Sequence, residues 1–268
     1  MTRGGTNLGN DQQFAELLHS VRTSEQWLDN VKLKQIVSYG AGMVPHLEDI
    51  LKQSLSNHPQ NQPTNTQPQS YAILHTLFLL AHLQSEKSLP VILEFLSRRP
   101  DFLDCYLHDS LLDEIWEVVF CLGANHIADL ETFILNRQNN TLSRLAIATA
   151  LVQLALHYPN LKGRIVLSFT RLLDQKKDDP DFLGLVISEL LDLKSATLRP
   201  HMLAALEKNI VWSGIITTED VSRNYKTKQV RKLTPIDLFK RHKLYTHFAN
   251  VVQVQTSQKS QRRTEKSF

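Results

Sequence analysis

The stretch Leu107–Gly123, LHDSLLDEIWEVVFCLG, sets His108, Asp109, Asp113, Glu114, Glu117 and Cys121 among apolar side chains. Carboxylates, an imidazole and a thiol at this density are the materials of acid–base catalysis, nucleophilic attack or metal ligation. Just upstream, Asp101, Asp104 and His108 would converge if their segment were helical, and Cys105, three residues before His108, would then make a thiol–base pair. Pro100 and the cap signal that follows point to a turn there instead. The larger group has a structural explanation. Ser110 and Asp113 match a capping box, and Asp109 or Ser110 directly precedes the apolar periodicity, so these carboxylates satisfy free N–H groups of a first turn and oppose the positive end of a helix dipole. Leu111, Leu112, Ile115, Val118, Val119 and Leu122 recur at three- and four-residue steps as a buried stripe, which Cys121 continues. The segment reads as a capped core helix, and it contributes no catalytic residue.

Other chemistries fare no better. None of the eleven histidines lies three or four positions from another, the spacing that sets two metal ligands on one helical face. His75 and His82 share a face two turns apart, about 10 Å, too far to hold one ion jointly. KKDDPDF reads as a loop ending in an Asp179 cap with Pro180 at the first helical position. Phosphate-cradling glycine loops, nucleophile elbows and the HExxH zinc pattern are all missing from the chain. Trp27, Trp116 and Trp212 stand on or beside apolar periodic segments and are expected in the core. No cofactor and no enzymatic activity are expected.

The elements that would carry any function are helices. The chain has 268 residues, 42% hydrophobic and 21% charged, with only nine glycines, enough to bury a large helical core. Cys105 and Cys121 are too few for a disulfide framework, and the opening MTRGGTNLGNDQQ has no apolar run of the secretory kind, so a reducing cytoplasm is expected. The longest apolar run, AILHTLFLLAHL, is broken by His75 and His82 and falls short of the roughly 20 residues of a membrane span, so no transmembrane segment is expected.

Leu93, Leu130, Leu167 and Leu203 recur at intervals of 37, 37 and 36 residues, each in a helical pattern and each expected to face the interior. The helices between them end near Leu83, Leu122, Leu156 and Leu193. Two helices per unit of about 37 residues predict an all-α fold, an α-solenoid of HEAT or armadillo-like helix pairs, in which each amphipathic pair buries its face on its neighbours. The repeat domain covers residues 1–222, with the charge-free, proline-bearing segment SNHPQNQPTNTQPQ (56–69) as an exposed insertion.

HDSLLDEIWEVVF, the later helix TLSRLAIATALVQLA and the segment NIVWSGIITTEDV together resemble a bacterial family of unknown function, number 1186, from roughly Val37 to Val221. The resemblance implies HEAT-like helical repeats and carries no catalytic residues with it. Some similar chains end in a cysteine- and histidine-rich SEC-C zinc motif. This chain departs from them, because no cysteine follows Cys121 and a basic tail stands in that place.

The tail is where composition alone suggests function. From Arg223 onward twelve Lys/Arg stand against Asp237 and Glu265, a charge of +10, which leaves eighteen against twenty-five, or −7, for residues 1–222. Lys226, Lys228, Arg231, Lys232, Lys240, Arg241 and Lys243 alternate with Tyr225, Phe239, Tyr245 and Phe248 and are the candidate ligand-binding residues. Thr234 and Pro235 predict the start of a last helix with Ile236, Phe239, Leu244 and Phe248 on one face. Residues 223–255 form this basic segment, and 256–268 are expected to be disordered. The expected function is a non-catalytic scaffold that binds a protein partner on its concave surface, with nucleic-acid binding through the basic segment as the alternative.

Overall fold

A computed structural model describes residues 7–57, 71–107, 110–175, 178–208 and 210–241. It is all-helical, with no strand among the described residues. In chain order the helices are α1 (Asn7–Thr23), α2 (Asn30–Ser38), α3 (Val44–Asn57), α4 (Ala72–His82), α5 (Leu89–Leu96), α6 (Pro100–Leu107), α7 (Ser110–Asp113), α8 (Ile115–Leu122), α9 (Ile127–Leu135), α10 (Thr141–His157), α11 (Pro159–Asp174), α12 (Pro180–Leu190), α13 (Leu198–Glu207) and α14 (Thr218–Lys226). No described helix is long and apolar enough to cross a membrane.

Turn chemistry starts several of them. The Asp29 carboxylate accepts from the Val31 and Lys32 N–H groups at the head of α2, and Asn140 accepts from those of Leu142 and Ser143 at α10. Asp179 caps α12 with Pro180 as its first residue, as the sequence predicts. Thr217 and Asp220 form a reciprocal capping box at α14.

Packing is organised around α10. This helix touches α7, α8, α9, α11 and α12, and its residues from Ser143 to Ala155 are mostly buried on every side. Two successions of neighbours run past it: α4 against α8, α8 against α10 and α10 against α12, and beside them α9 against α11 and α11 against α13. One continuous apolar core joins all of these, from Leu17 to Leu238.

The four spaced leucines lie in α5, α9, α11 and α13, but their burial is uneven. Leu130 is fully buried, Leu93 and Leu203 are half-buried, and Leu167 is 56% exposed. On α11 the inward stripe is Ile165, Val166, Phe169, Leu172 and Leu173, so the leucine spacing marks the right helix one residue out of register. Trp27 and Trp116 are core residues, whereas Trp212, on the connection before α14, is 57% exposed and folds over Gly214, where a side chain would strike its ring. Residues 100–107 are helical, with Pro100 opening α6 as a first-turn proline. Ser56 and Asn57 are the last residues of α3, and the rest of the expected insertion lies outside the described residues, as do 242–268.

The stretch at 107–123 is two pieces. Ser110–Asp113 makes a single turn, and the buried stripe restarts at Ile115, with Glu114 at the N-cap making no side-chain cap bond. Glu114 is engaged elsewhere, as described next. His108 and Asp109 lie outside the described residues.

Candidate functional site

After α14 the chain runs without a helix as far as Asp237. Residues 228–237 have no regular structure, and a short 3-10 turn follows at Leu238–Lys240, with the Asp237 carboxylate accepting from the Phe239 N–H. Pro235 thus leads into a tight turn, and Leu244 and Phe248 of the expected helix lie outside the described residues. This strap crosses α12, α10, α8 and α4 in succession, and side chains on the first three hold its backbone.

At α12 and the turn that ends it, Asp192 accepts the Arg231 backbone N–H at 2.8 Å, and Glu189 and Asp192 pair with the Arg231 guanidinium. At α10 the Gln153 amide is bidentate on the strap backbone, donating to the Arg231 carbonyl at 3.1 Å and accepting the Leu233 N–H at 2.8 Å. One turn further along α10, His157 Nε2 lies 2.7 Å from the Leu233 carbonyl, which can only accept, so this nitrogen carries the proton. At α8 Glu117 accepts the Ile236 N–H at 2.6 Å. The strap closes at α4, where Leu238 is buried and Phe239 meets the His82 ring edge-on at 5.2 Å.

The dimensions agree with a chain laid across stacked helices. Six extended steps from Arg231 to Asp237 and four 3-10 steps span about 28 Å, and three interhelical spacings span roughly 24–30 Å.

Arg241 anchors the end. It is 1% exposed, its guanidinium lies 3.6 Å from the centroid of the Phe78 ring, and it donates to Glu114 at 3.0 Å and to Glu117. A planar fork on an aromatic face between two carboxylates is arginine geometry, which a lysine ammonium does not reproduce. Burial pushes the Glu117 carboxyl up to about 6, with Arg241 and the Ile236 N–H pulling it down and Glu114 adding to the rise. Cys121 stands exposed beside this anchor, not within the buried stripe. The residue is open to solvent but lines a cavity wall, and desolvation there, with Glu117 adding and Arg241 opposing, pushes the thiol up to about 11, which keeps it protonated and poorly nucleophilic. A cavity of about 290 Å³ remains beside the strap, lined by Phe78, Ala81, His82, Cys121, Pro235 and Ile236 among others.

The candidate residues of the tail therefore separate. Arg231 and Arg241 face carboxylates of the body; Lys226, Lys228, Lys232 and Lys240 are exposed; Lys243 lies outside the described residues. Asp101 pairs with Arg99, Asp104 is exposed and Cys105 is buried on α6. His75 is buried against Trp27 and accepts the Leu28 N–H, while His82 faces Phe239. Among the described residues no group of three or more His, Cys, Asp or Glu could hold a metal ion.

Sequence reasoning missed Gln153, His157, Glu189 and Asp192. Its available signal was a polar residue inside an all-round apolar helix: Gln153 in TLSRLAIATALVQLALH and Glu117 in IWEVVFCL are buried and must find partners.

The profile of a family described as a protein of unknown function (DUF1186) matches residues 12–254, and the chain belongs to that family. No curated protein and no solved structure matches it.

Proposed function

We propose that this member of the DUF1186 family is a non-catalytic helical-repeat scaffold, and that the face formed by α4, α8, α10 and α12 receives an extended segment of a protein partner. The repeat reading pairs α4 with α5, α8 with α9, α10 with α11 and α12 with α13, and takes the first members as the inner, concave layer. The two successions of neighbours support it, as do outer helices that begin at residues 89, 127, 159 and 198.

One observation carries the functional reading: Gln153, Glu117, Asp192 and His157 bond to the backbone of an extended segment. Backbone groups are common to every polypeptide, so a row of side chains that satisfies them is suited to extended chains of many sequences. The alternative, nucleic-acid binding through the basic segment, draws on the exposed Lys226, Lys228, Lys232 and Lys240. It is weakened because Arg231 and Arg241 already face carboxylates.

The test is affinity capture of the intact chain from its own cells after cross-linking, with the cross-links mapped by mass spectrometry. A partner polypeptide joined to α8, α10 and α12 is the expected result. A partner joined only to α9, α11 and α13 would overturn the reading. So would nucleic acid as the captured species, released by salt with a log–log slope of about 0.9 per phosphate contacted.

A further inference from the structure

We infer that Phe78, Glu114 and Glu117 form an arginine-recognition subsite, that Arg241 occupies it as a resident competitor, and that the partner displaces the strap with an arginine-bearing extended segment of its own. This rests on the proposed peptide-binding face and adds the chemistry of its ligand and the device that guards it.

Three features of the strap support displacement. First, the anchor is selective: a guanidinium stacks on the Phe78 ring while two carboxylates take its N–H groups, so both its planarity and its charge are used. Second, the fit around it is incomplete. The 290 Å³ cavity lies against Ile236, which is still 40% exposed, so the resident segment does not fill the space beside it. A ligand with a larger apolar side chain at that position, five residues before its arginine, would fill the space and outcompete the strap. Third, the strap hangs from an exposed connection, Lys226 to Lys232, whose removal from the face would leave the helical contacts in place. A segment tethered in this way competes at an effective concentration in the millimolar range, which sets the affinity that a partner must exceed.

The probe is a fluorescein-labelled synthetic peptide of residues 228–241, titrated by anisotropy against the full chain and against the full chain carrying Arg241→Ala. The variant, with its pocket vacated, is expected to bind the peptide at least about tenfold more tightly than the intact chain, the scale of one charged, buried hydrogen-bonded contact. On the variant, a peptide carrying Arg241→Lys should lose at least about tenfold by the same reasoning. A peptide carrying Ile236→Phe should bind more tightly than the unmodified one.

A second form guards against misfolding of the variant. The full chain with a site-specific protease sequence in place of exposed residues 227–230 can be cut after folding, and the cut chain should bind the peptide as Arg241→Ala does. Equal affinity for the Arg241 and Arg241→Lys peptides would overturn the arginine subsite and leave the peptide-binding face standing. No binding to either opened form would overturn both. Equal binding to the intact and opened chains would overturn the competitor role alone.

Discussion

Two arginines in this protein sit in nearly the same chemistry and serve different ends. Arg144, on α10, is 2% exposed, donates to both oxygens of Asp178 and to the Ile134 carbonyl, and lies 3.8 Å from the Phe182 ring centroid. Arg241, at the end of the strap, is 1% exposed, donates to Glu114 and Glu117, and lies 3.6 Å from Phe78. The difference lies in connectivity. Arg144 ties the end of α9 and the approach to α12 to the central helix, so its partners separate only when the body unfolds. Arg241 belongs to a segment that can lift while α4 and α8 stay packed, which returns its carboxylates to water. The same interaction is a weld in one place and a latch in the other.

Breaking each pair measures that difference. Arg144→Met strands the buried Asp178 carboxylate and is expected to cost about 3–5 kcal/mol in urea unfolding. Arg241→Met is expected to cost less, about 1.5–3 kcal/mol, because lifting the strap resolvates Glu114 and Glu117 and caps the loss at the free energy of that local opening. Hydrogen exchange should quicken at the Leu233 and Ile236 amides in this variant and remain slow in α10. Equal losses in the two variants would make the strap part of the cooperative body and end the distinction.

Acid sharpens the contrast, since the two regions titrate through different groups. Burial drives the His75 imidazole from 6.5 down to about 3, with the Val21 carbonyl opposing the shift. A folded-state value below the unfolded one gives stability that is present above pH 6.5 and lost as pH falls toward 3. Glu117 is shifted the other way, up to about 6 from an ordinary 4.5. Relative to the unfolded chain its contribution to global stability is present below 4.5 and lost as pH rises through 6, against the trend of His75. The strap's own groups, Arg241 and the Ile236 N–H, pull the carboxyl down and so hold its ionised form, and protonation weakens docking. His75 stays buried when the strap lifts, so it does not enter that local equilibrium. From pH 6.5 to 4.5, native-state hydrogen exchange should therefore report faster local opening at Ile236. Glu117→Gln should flatten that trend.

How much of this was legible in the sequence depends on the range of the interaction. Caps such as Asp179 with Pro180 are written within three residues, and the sequence predicts that one correctly. The family resemblance was also legible, and the match to residues 12–254 extends it beyond the stretch first compared. The strap was not, because its hydrogen bonds to the body join residues 39 to 127 positions apart, as in Arg231 with Asp192 and Arg241 with Glu114. What the sequence does reveal is the unmet need at one end of each contact. Arg144, Gln153 and Glu117 interrupt apolar helices, and each has a partner that local periodicity cannot supply. The +10 tail and −7 body mark which segments attract one another without saying which residues meet. The stretch 107–123 accordingly divides: Leu111, Ile115, Trp116, Val118, Val119, Phe120 and Leu122 supply core, and Glu114 and Glu117 hold Arg241.

The smallest effect tests the weld at a distance of one residue. Asp178 and Asp179 are chemically identical neighbours. Asp178 is nearly inaccessible and receives Arg144, whereas Asp179 is exposed and accepts the Asp181 and Phe182 N–H groups at the head of α12. Asp179→Ala removes only a cap whose N–H groups water can reach, and about 1 kcal/mol is expected. Asp178→Ala leaves a guanidinium buried without its counterion, and the loss should approach the 3–5 kcal/mol of Arg144→Met. In the double variant Arg144→Met with Asp178→Ala no charge is left stranded, so the combined loss should fall well short of the sum of the singles. Asp179→Ala should add to Arg144→Met nearly in full, since the one bond that joins cap and ion pair, from the residue 179 N–H to Asp178 at 2.9 Å, has a backbone donor and is kept. Unfolding midpoints of the three single and two double variants decide the matter: additive losses for the Arg144 and Asp178 pair would mean that it is no unit, and the contrast with the latch at Arg241 would lose one of its two terms.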